Sequence, residues 1–319
     1  MKVVTVTLNP AIDKTIEISG FKIGKLNKVE SVRSDIGGKG INVSKVLYAL
    51  GTDSTAVGFV AGATGKSICQ GLDAMGIRHD MVEVSGDTRT NLKIFDRSLK
   101  EITEVNEPGP EVSEQDLMDL AYKIDRMASK EHLFVFSGSM PKGLDTDAYV
   151  GLIGIVKEKG ARVFLDADGM AFKSGVEAIP HMIKPNREEL ERYFNQSIET
   201  DAEILKAMDH FIEKGIQHVF VTMGSSGAYY GSREGYYKIE PLKVEAHSSV
   251  GAGDAFVGGV CHAFASQIES GQPDVEQMLR WAVATSAGAV ETIGTNPASL
   301  DWVETHMPVV SVEKIGGVY

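Results

Sequence analysis

An apolar strand followed by an amphipathic helix recurs along most of this chain, and that order leaves few architectures open. Val3 to Leu8 reads as a first strand. From Ile41 to Leu50, the residues Val43, Val46, Leu47 and Leu50 fall at helical spacing, and Gly51 follows as a stop signal. Ser113 is an N-cap candidate for a helix bearing Leu117, Leu120, Ala121 and Ile124. Leu133 to Phe136 is a short apolar strand. Tyr149, Leu152, Ile153 and Val156 then share a helix face that ends at Gly160, and Arg162 to Asp166 is the next strand. A helix over Ala202 to Lys214, stopped by Gly215, leads to a strand at His218 to Thr222. Such alternation predicts a mostly parallel sheet with helices on both faces.

Two stretches break the rhythm. Thr15 to Ser34 and Arg89 to Val105 carry short period-two patterns rich in charge, such as Ile16/Ile18, Leu92/Ile94 and Ile102/Val105. They read as strands exposed on one face, outside the main sheet, and predict a small β lid. With no low-complexity linker or internal repeat, residues 1–319 read as one α/β domain whose lid comes from about 12–36 and 88–107.

The chain is 43% hydrophobic and 24% charged, which places it with globular proteins. Its net charge of −12, without a strongly basic segment, argues against nucleic-acid or anionic-membrane partners. Met1 to Thr7 is too short and too alternating for a signal-peptide core, and no run approaches the roughly 18 apolar residues of a membrane helix. Cys69 and Cys261 have no metal-ligand spacing and read as reduced thiols of a cytoplasmic protein. An acidic chain that binds an anion must concentrate cations and helix N-termini locally.

Gly251-Ala252-Gly253-Asp254, before Ala255, Phe256 and Val257, offers such a place. Small residues admit a phosphate to the backbone, and the following helix aims free N–H groups at it. Asp254 would repel the anion by its own charge, so its chemical reading is a base taking a proton from an attacking hydroxyl; a helix cap is the alternative. Gly37-Gly38-Lys39-Gly40 precedes a helix with Asn42 in its first turn, which suits close approach to a polar ligand or a mobile turn. Asn186 and Glu189 in Lys184-Pro185-Asn186-Arg187-Glu188-Glu189 share a face of a helix's first turn, where they could orient magnesium or simply cap the helix. Thr222-Met223-Gly224-Ser225-Ser226-Gly227 follows a buried strand, where doubly wound sheets bind nucleotides. Gly65-Lys66-Ser67 imitates a P-loop but lacks the required earlier glycine, since that position is Val60; a helix start after the strand Ser54 to Val60 is the better reading.

Six segments taken in order resemble the phosphofructokinase-B family of ribokinase-like kinases. They are Thr7-Leu8-Asn9-Pro10-Ala11-Ile12-Asp13, Gly37 to Val43, Thr88-Arg89-Thr90-Asn91, Ser137-Gly138-Ser139-Met140-Pro141, Lys184-Pro185-Asn186 and Gly251 to Asp254. The first and third look like the hexose-phosphate branch, which includes kinases of fructose 1-phosphate and tagatose 6-phosphate. The resemblance implies a three-layer α/β/α domain with a β lid that can also form a homodimer. It implies ATP and Mg²⁺ as partners of the reaction, with Asp254 as base and the backbone of Gly251, Ala252 and Gly253 meeting the transferred phosphoryl group. Asp13, Gly38 and Asn42 would hold sugar hydroxyls, while Lys39, Arg89 and Ser139 would meet the substrate phosphate. Lys184, Thr222, Gly224, Gly227 and Ser249, with Gly251 and Gly253, would lie along ATP, and Asn186 and Glu189 would organise magnesium. The implied reaction converts fructose 1-phosphate to fructose 1,6-bisphosphate, with tagatose 6-phosphate as the alternative acceptor and a non-catalytic sugar-phosphate sensor as the rival from another class. Two departures stand out: Ala255 where many relatives carry serine, and Glu107 where a neutral residue is expected beside the sugar phosphate.

Overall fold

The computed structural model describes residues 1–267 and 274–316. Its strands are β1 (Lys2–Thr7), β2 (Ala11–Ile18), β3 (Ser31–Gly37), β4 (Ser54–Ala61), β5 (Arg78–His79), β6 (Val82–Val84), β7 (Arg89–Asp96), β8 (Glu101–Val105), β9 (His132–Gly138), β10 (Arg162–Ala167), β11 (Met182–Ile183), β12 (His218–Thr222), β13 (Ala228–Ser232), β14 (Gly235–Ile239) and β15 (Val312–Gly316). The helices are α1 (Lys39–Ala49), α2 (Gly62–Met75), α3 (Glu114–Met127), α4 (Ala148–Glu158), α5 (Gly169–Glu177), α6 (Arg187–Phe194), α7 (Asp201–Glu213), α8 (Ala252–Gln267), α9 (Val275–Val290) and α10 (Leu300–His306).

The strands assemble into a large sheet ordered β15-β14-β13-β12-β11-β10-β9-β1-β4-β5, with β6 also on β4, and a separate sheet ordered β3-β2-β7-β8. Pairing is parallel from β12 to β5. Beyond β12 it becomes antiparallel: short turns at 223–227 and between Ser232 and Gly235 return the chain directly beside itself, and β15 then pairs with β14. Strand-then-helix reading does not anticipate that edge.

Alternate side chains of the central strands enter opposite cores. Val4, Val6, Phe134, Phe136, Val163 and Leu165 pack beneath α3, α4, α5 and α7. Val3, Leu133, Val135 and Phe164 pack beneath α1, α8 and α9. A strand buried on both sides has no polar face, so it shows no period-two pattern in sequence. The Gly65-Lys66-Ser67 segment lies within α2, as a helix rather than a phosphate loop.

One helix crossing sets up the site. On α8, a Cβ at Gly258 would lie 2.4 Å from Val46 Cγ1 of α1, and one at Gly259 would lie 2.8 Å from Ala282 Cα of α9. The two glycines therefore let α8 sit flush against both neighbours. Asn42 is one turn before Val46, and Asp254 is one turn before Gly258, so the same crossing brings those two polar side chains together.

The lid sheet has two unlike faces. Register places Asp13 beside Asp35 and Asn91, and Thr15 beside Arg33 and Lys93, on a polar face. Ile16, Val32, Leu92, Ile94 and Val105 share the opposite face. Near its base that apolar face is covered, with Ile36 and Ile12 packed on Ile68 and Leu72. Farther out, Val32 and Val105 are 57% and 53% exposed. The stretch Thr15 to Ser34 is not strand throughout: β2 and β3 are joined by a loop that exposes Ile23 and Leu26.

Candidate active site

Side chains converge where β1, β9 and β10 end and α1 and α8 begin, the carboxyl edge at which open parallel sheets take ligands. Asp254, in the first turn of α8, is buried, and its Oδ2 accepts a 2.7 Å hydrogen bond from Asn42 Nδ2. This bond comes from a neighbouring helix, so the carboxylate is not spent on capping its own. Burial pushes the Asp254 carboxyl up to about 7, and Asp166 pushes the same way; Lys39, the Asn42 hydrogen bond and Lys184 oppose them. The turn before α8 uses Gly251 at φ 82°, where side chains are strained. A Cβ at Gly253 would face Lys184 Nζ at 3.7 Å, so the bare backbone opens onto that ammonium. The first-turn amides of α8 have no acceptor within the helix.

Lys39 stands in an acidic cluster. Its Nζ is 2.5 Å from Asp168 Oδ1, 3.6 Å from Asp166 Oδ1 and 3.7 Å from Glu189 Oε1. Burial alone would lower its pKa, but Asp166, Asp168 and Glu189 together hold it well above the ordinary lysine value. Lys184 Nζ shares Asp166 Oδ1 at 3.2 Å. Asp166 and Asp168 escaped the sequence reading; their position at the end of a buried strand is the signal that could have flagged them. The structure thus gathers Lys39 with Asp166, Asp168 and Glu189, with Asp254 acting on it at longer range.

Arg89 reaches instead to Asn9 and Ser139. Its Nη2 donates to the Asn9 carbonyl at 2.8 Å and to Ser139 Oγ at 3.5 Å, while its buried Nε lacks a partner. No carboxylate forms an ion pair with it among the described residues. Burial lowers its pKa, with Asp13 and Asp168 opposing at longer range. Tyr149, from below, donates to the carbonyls of Ser137 and Gly138 and so fixes the loop that carries Ser139. Glu107 is already engaged, its carboxylate accepting from the Thr90 amide at 2.8 Å. Asp13 accepts from Asn91 Nδ2 at 3.1 Å and Lys93 Nζ at 3.2 Å, neither of which the sequence reading singled out. Gly38, at φ 108°, has no room for a side chain, since a Cβ would lie 2.9 Å from Pro10 Cα. Ala255 is buried in the apolar core under α8, where a methyl group fills its place.

Farther along the sheet edge, Thr222 pairs with Asn186 and donates its amide to Pro185 at 3.1 Å. Gly224 and Gly227 form the turn that follows, and a Cβ on Gly227 would lie 2.1 Å from the Ile239 carbonyl. Ser249 is exposed just before the Gly251 turn. Asn186 and Glu189 form a capping box at the start of α6, each side chain accepting from the other's amide at 2.8 Å.

A model of the pfkB family of carbohydrate kinases matches residues 6–302. The chain belongs to that family. It is 30% identical over 314 residues to a 1-phosphofructokinase of Vibrio cholerae, covering 98% of this chain and 97% of the relative. To a 1-phosphofructokinase of Xanthomonas campestris pv. campestris it is 35% identical over 297 residues, 92% of each chain. Among solved structures, phosphofructokinase-2 from Escherichia coli in complex with substrates and products superposes with a TM-score of 0.90 at 26% identity, covering 97% of this chain and 99% of that one.

This pfkB kinase is an ATP-dependent phosphotransferase with a ribokinase-like α/β fold. A hard divalent cation fits its acidic cluster. Glu189 keeps Oε1 outside its capping bond, and Asp166 has its Oδ1 beside the Lys184 and Lys39 ammonium groups while its buried Oδ2 lacks a hydrogen-bond donor. No group of three or more metal-ligating side chains is present among the described residues, so such an ion would draw its remaining ligands from water and ATP.

The buried carboxyl of Asp254 also bears on stability. Its folded value lies above that of an unfolded aspartate, so the stability it contributes is present below about pH 4 and lost as pH rises through 7. Asp254→Asn should therefore stabilise the protein at pH 8, on the order of 1–4 kcal/mol, with the gain shrinking strongly at pH 4.5. Chemical denaturation at the two pH values measures it; an equal difference at both would contradict a raised carboxyl.

Proposed function

We propose that this kinase transfers the γ-phosphoryl group of ATP to the free primary hydroxyl of fructose 1-phosphate, with Asp254 as general base. The hydroxyl proton passes to Asp254, the oxygen bonds to the γ-phosphorus, and the bond to the bridging oxygen breaks to release ADP. The observation that carries this reading is Asp254 itself: buried, pushed up to about 7 so that it changes charge near neutral pH, and set at a glycine-flanked helix start beside Lys184. First-turn amides of α8 would meet the transferring phosphoryl, with Lys39 close enough to the same cluster to share that charge. Asn186 and Glu189 would hold magnesium, directly or through water; that ion supplies charge neutralisation on the ATP oxygens.

Arg89 supports a phosphorylated acceptor. A guanidinium held at Asn9 and Ser139, with a buried Nε unmatched and no carboxylate ion-paired to it among the described residues, is suited to an anion on the sugar. A neutral sugar would leave it without a counter-charge. Asp13 on the lid's polar face would take sugar hydroxyls.

Replacing Asp254 by Asn keeps the shape and removes the proton acceptor, so kcat should fall roughly 10²–10⁴-fold with ATP affinity nearly unchanged. Retention of kcat within threefold would falsify the base assignment.

Arg89→Ala should raise KM for fructose 1-phosphate by about 10- to 100-fold and leave KM for ATP within about twofold, from the loss of a charge-assisted contact. The same coupled ADP-release assay, run over fructose 1-phosphate, fructose 6-phosphate, tagatose 6-phosphate and free fructose, checks the acceptor. Free fructose turning over as well as fructose 1-phosphate would defeat the sugar-phosphate reading.

We further propose that the outer apolar face of the lid pairs with the same face of a second copy. The exposed Val32 and Val105 beside Ile16 and Leu92 support this, since they leave an apolar patch on the outer part of the sheet that a second copy would cover. Sedimentation should give a dimer at micromolar concentration, and the pair Val32→Lys and Val105→Glu should give monomers. An unchanged dimer would place the interface elsewhere.

A further inference from the structure

Lys45 is a buried lysine that the proposed mechanism does not use. It follows Asn42 by three residues on α1, so both side chains lie on one helix face. Its Nζ donates to three acceptors: Thr295 Oγ1 at 2.7 Å, the Ile36 carbonyl at 3.2 Å and Asn42 Oδ1 at 3.4 Å. Those acceptors come from three places, namely the loop beside Gly251, the lid strand β3 and the base's own hydrogen-bond donor.

We propose that Lys45 is a positioning residue that fixes the direction of the Asn42 side-chain amide and thereby keeps Asp254 in its proton-accepting form. An ammonium only donates hydrogen bonds. Facing Lys45, Asn42 must present its oxygen, and its NH₂ group is then turned to Asp254 Oδ2. In that direction the amide donates to the carboxylate and favours its ionised form. Reversed, the amide oxygen would face Asp254 and hold it only as the protonated acid, which cannot take a proton from the acceptor hydroxyl. Among the described residues Lys45 is the donor that meets the Asn42 side-chain oxygen, and so it selects between the two.

The surroundings keep Lys45 able to do this. Burial lowers its pKa to about 8, and Asp35, Asp13 and Asp254 hold it up against Arg33, so it remains an ammonium at neutral pH. Around Asp254 the charged groups are Asp166, Lys39 and Lys184. Neither lysine touches Asn42, and neither can set its direction. The inference rests on Asp254 being the base.

The test is the acid limb of the kcat–pH profile, taken on the full chain with saturating ATP, magnesium and fructose 1-phosphate. Lys45→Met should move that limb up by on the order of one pH unit, because one donated bond to a carboxylate is lost. Losing a nearby positive charge could also raise it directly, so the same change is made in Asn42→Ala. If Lys45 acts through Asn42, Lys45→Met causes no further shift there, whereas a direct charge effect persists. Lys45→Gln retains length and polarity but can offer either a donor or an acceptor, so it should shift the limb in the same direction by less; it serves if the Met variant does not fold. An unmoved limb in both variants, or an equal shift with and without Asn42, overturns the proposal. Failure of the base assignment has a different signature, because Asp254→Asn would then keep its turnover.

Discussion

The close crossing of α1 and α8 is the contact on which the pairing of Asn42 with Asp254 depends. Gly258 admits Val46 at a distance that any side chain would forbid, and one turn earlier the same two helices present Asn42 and Asp254. A buried carboxylate without a donor would be neutral across the physiological range. Here the donor is delivered by helix packing rather than by a loop, so its position inherits the rigidity of a core in which Val43, Val46, Leu47, Phe256 and Val260 are buried. Core and site are one construction at this point: the apolar residues of α1 set the distance, and the polar ones use it.

Electrostatics then explains how a chain of net charge −12 can handle two anionic substrates. Its site cations are of two kinds. Lys39 is matched by Asp166, Asp168 and Glu189, which hold its pKa up despite burial, and Lys184 is matched by Asp166. Arg89 is unmatched by any carboxylate ion pair among the described residues and keeps a buried donor free. A cation with internal partners suits a place where charge moves during a reaction, because the partners limit the cost of the empty state. An unmatched cation suits a place where a fixed anion arrives whole, because the anion completes its hydrogen bonding.

Much of this was legible in the residues. The strand–helix rhythm gave the parallel sheet because central strands and amphipathic helices carry local periodicity, and the capping boxes at Ser113 and Asn186 follow from residues three apart. The antiparallel edge was not legible, since β13 and β14 are short and packed like the strands before them. In the site, the glycine-flanked Asp254 could be read because its signal is local. Asp166, Asp168 and Lys45 could not be assigned in that way. All three are set in place by partners that the fold brings together, some of them more than a hundred residues distant, as with Lys45 and Thr295 or Lys39 and Asp168. Asn42 could be singled out by its motif, but its bond to Asp254 arises only from the helix crossing.

The lid joins the body where the site is most constrained, and that limits how it can move. At its base, a Cβ on Gly37 would lie 2.7 Å from Asp13 Oδ2, the Ile36 carbonyl accepts from Lys45, and Arg33 lies directly over Gly294 in the loop that holds Thr295. Ile36 also packs on α2 through Ile68 and Leu72. Swinging the whole sheet as a rigid flap would strip Lys45 of an acceptor and unseat that packing, leaving a buried ammonium undersatisfied. Bending of the outer strands, where β8 is exposed along its length and Val32 and Val105 are bare, disturbs none of these contacts. Any movement of this sheet is therefore cheapest as a bend beyond Arg33, which leaves the contacts at its base in place. The contacts that order Asn42 against Asp254 and those that anchor the small sheet meet around Lys45, so neither can loosen alone.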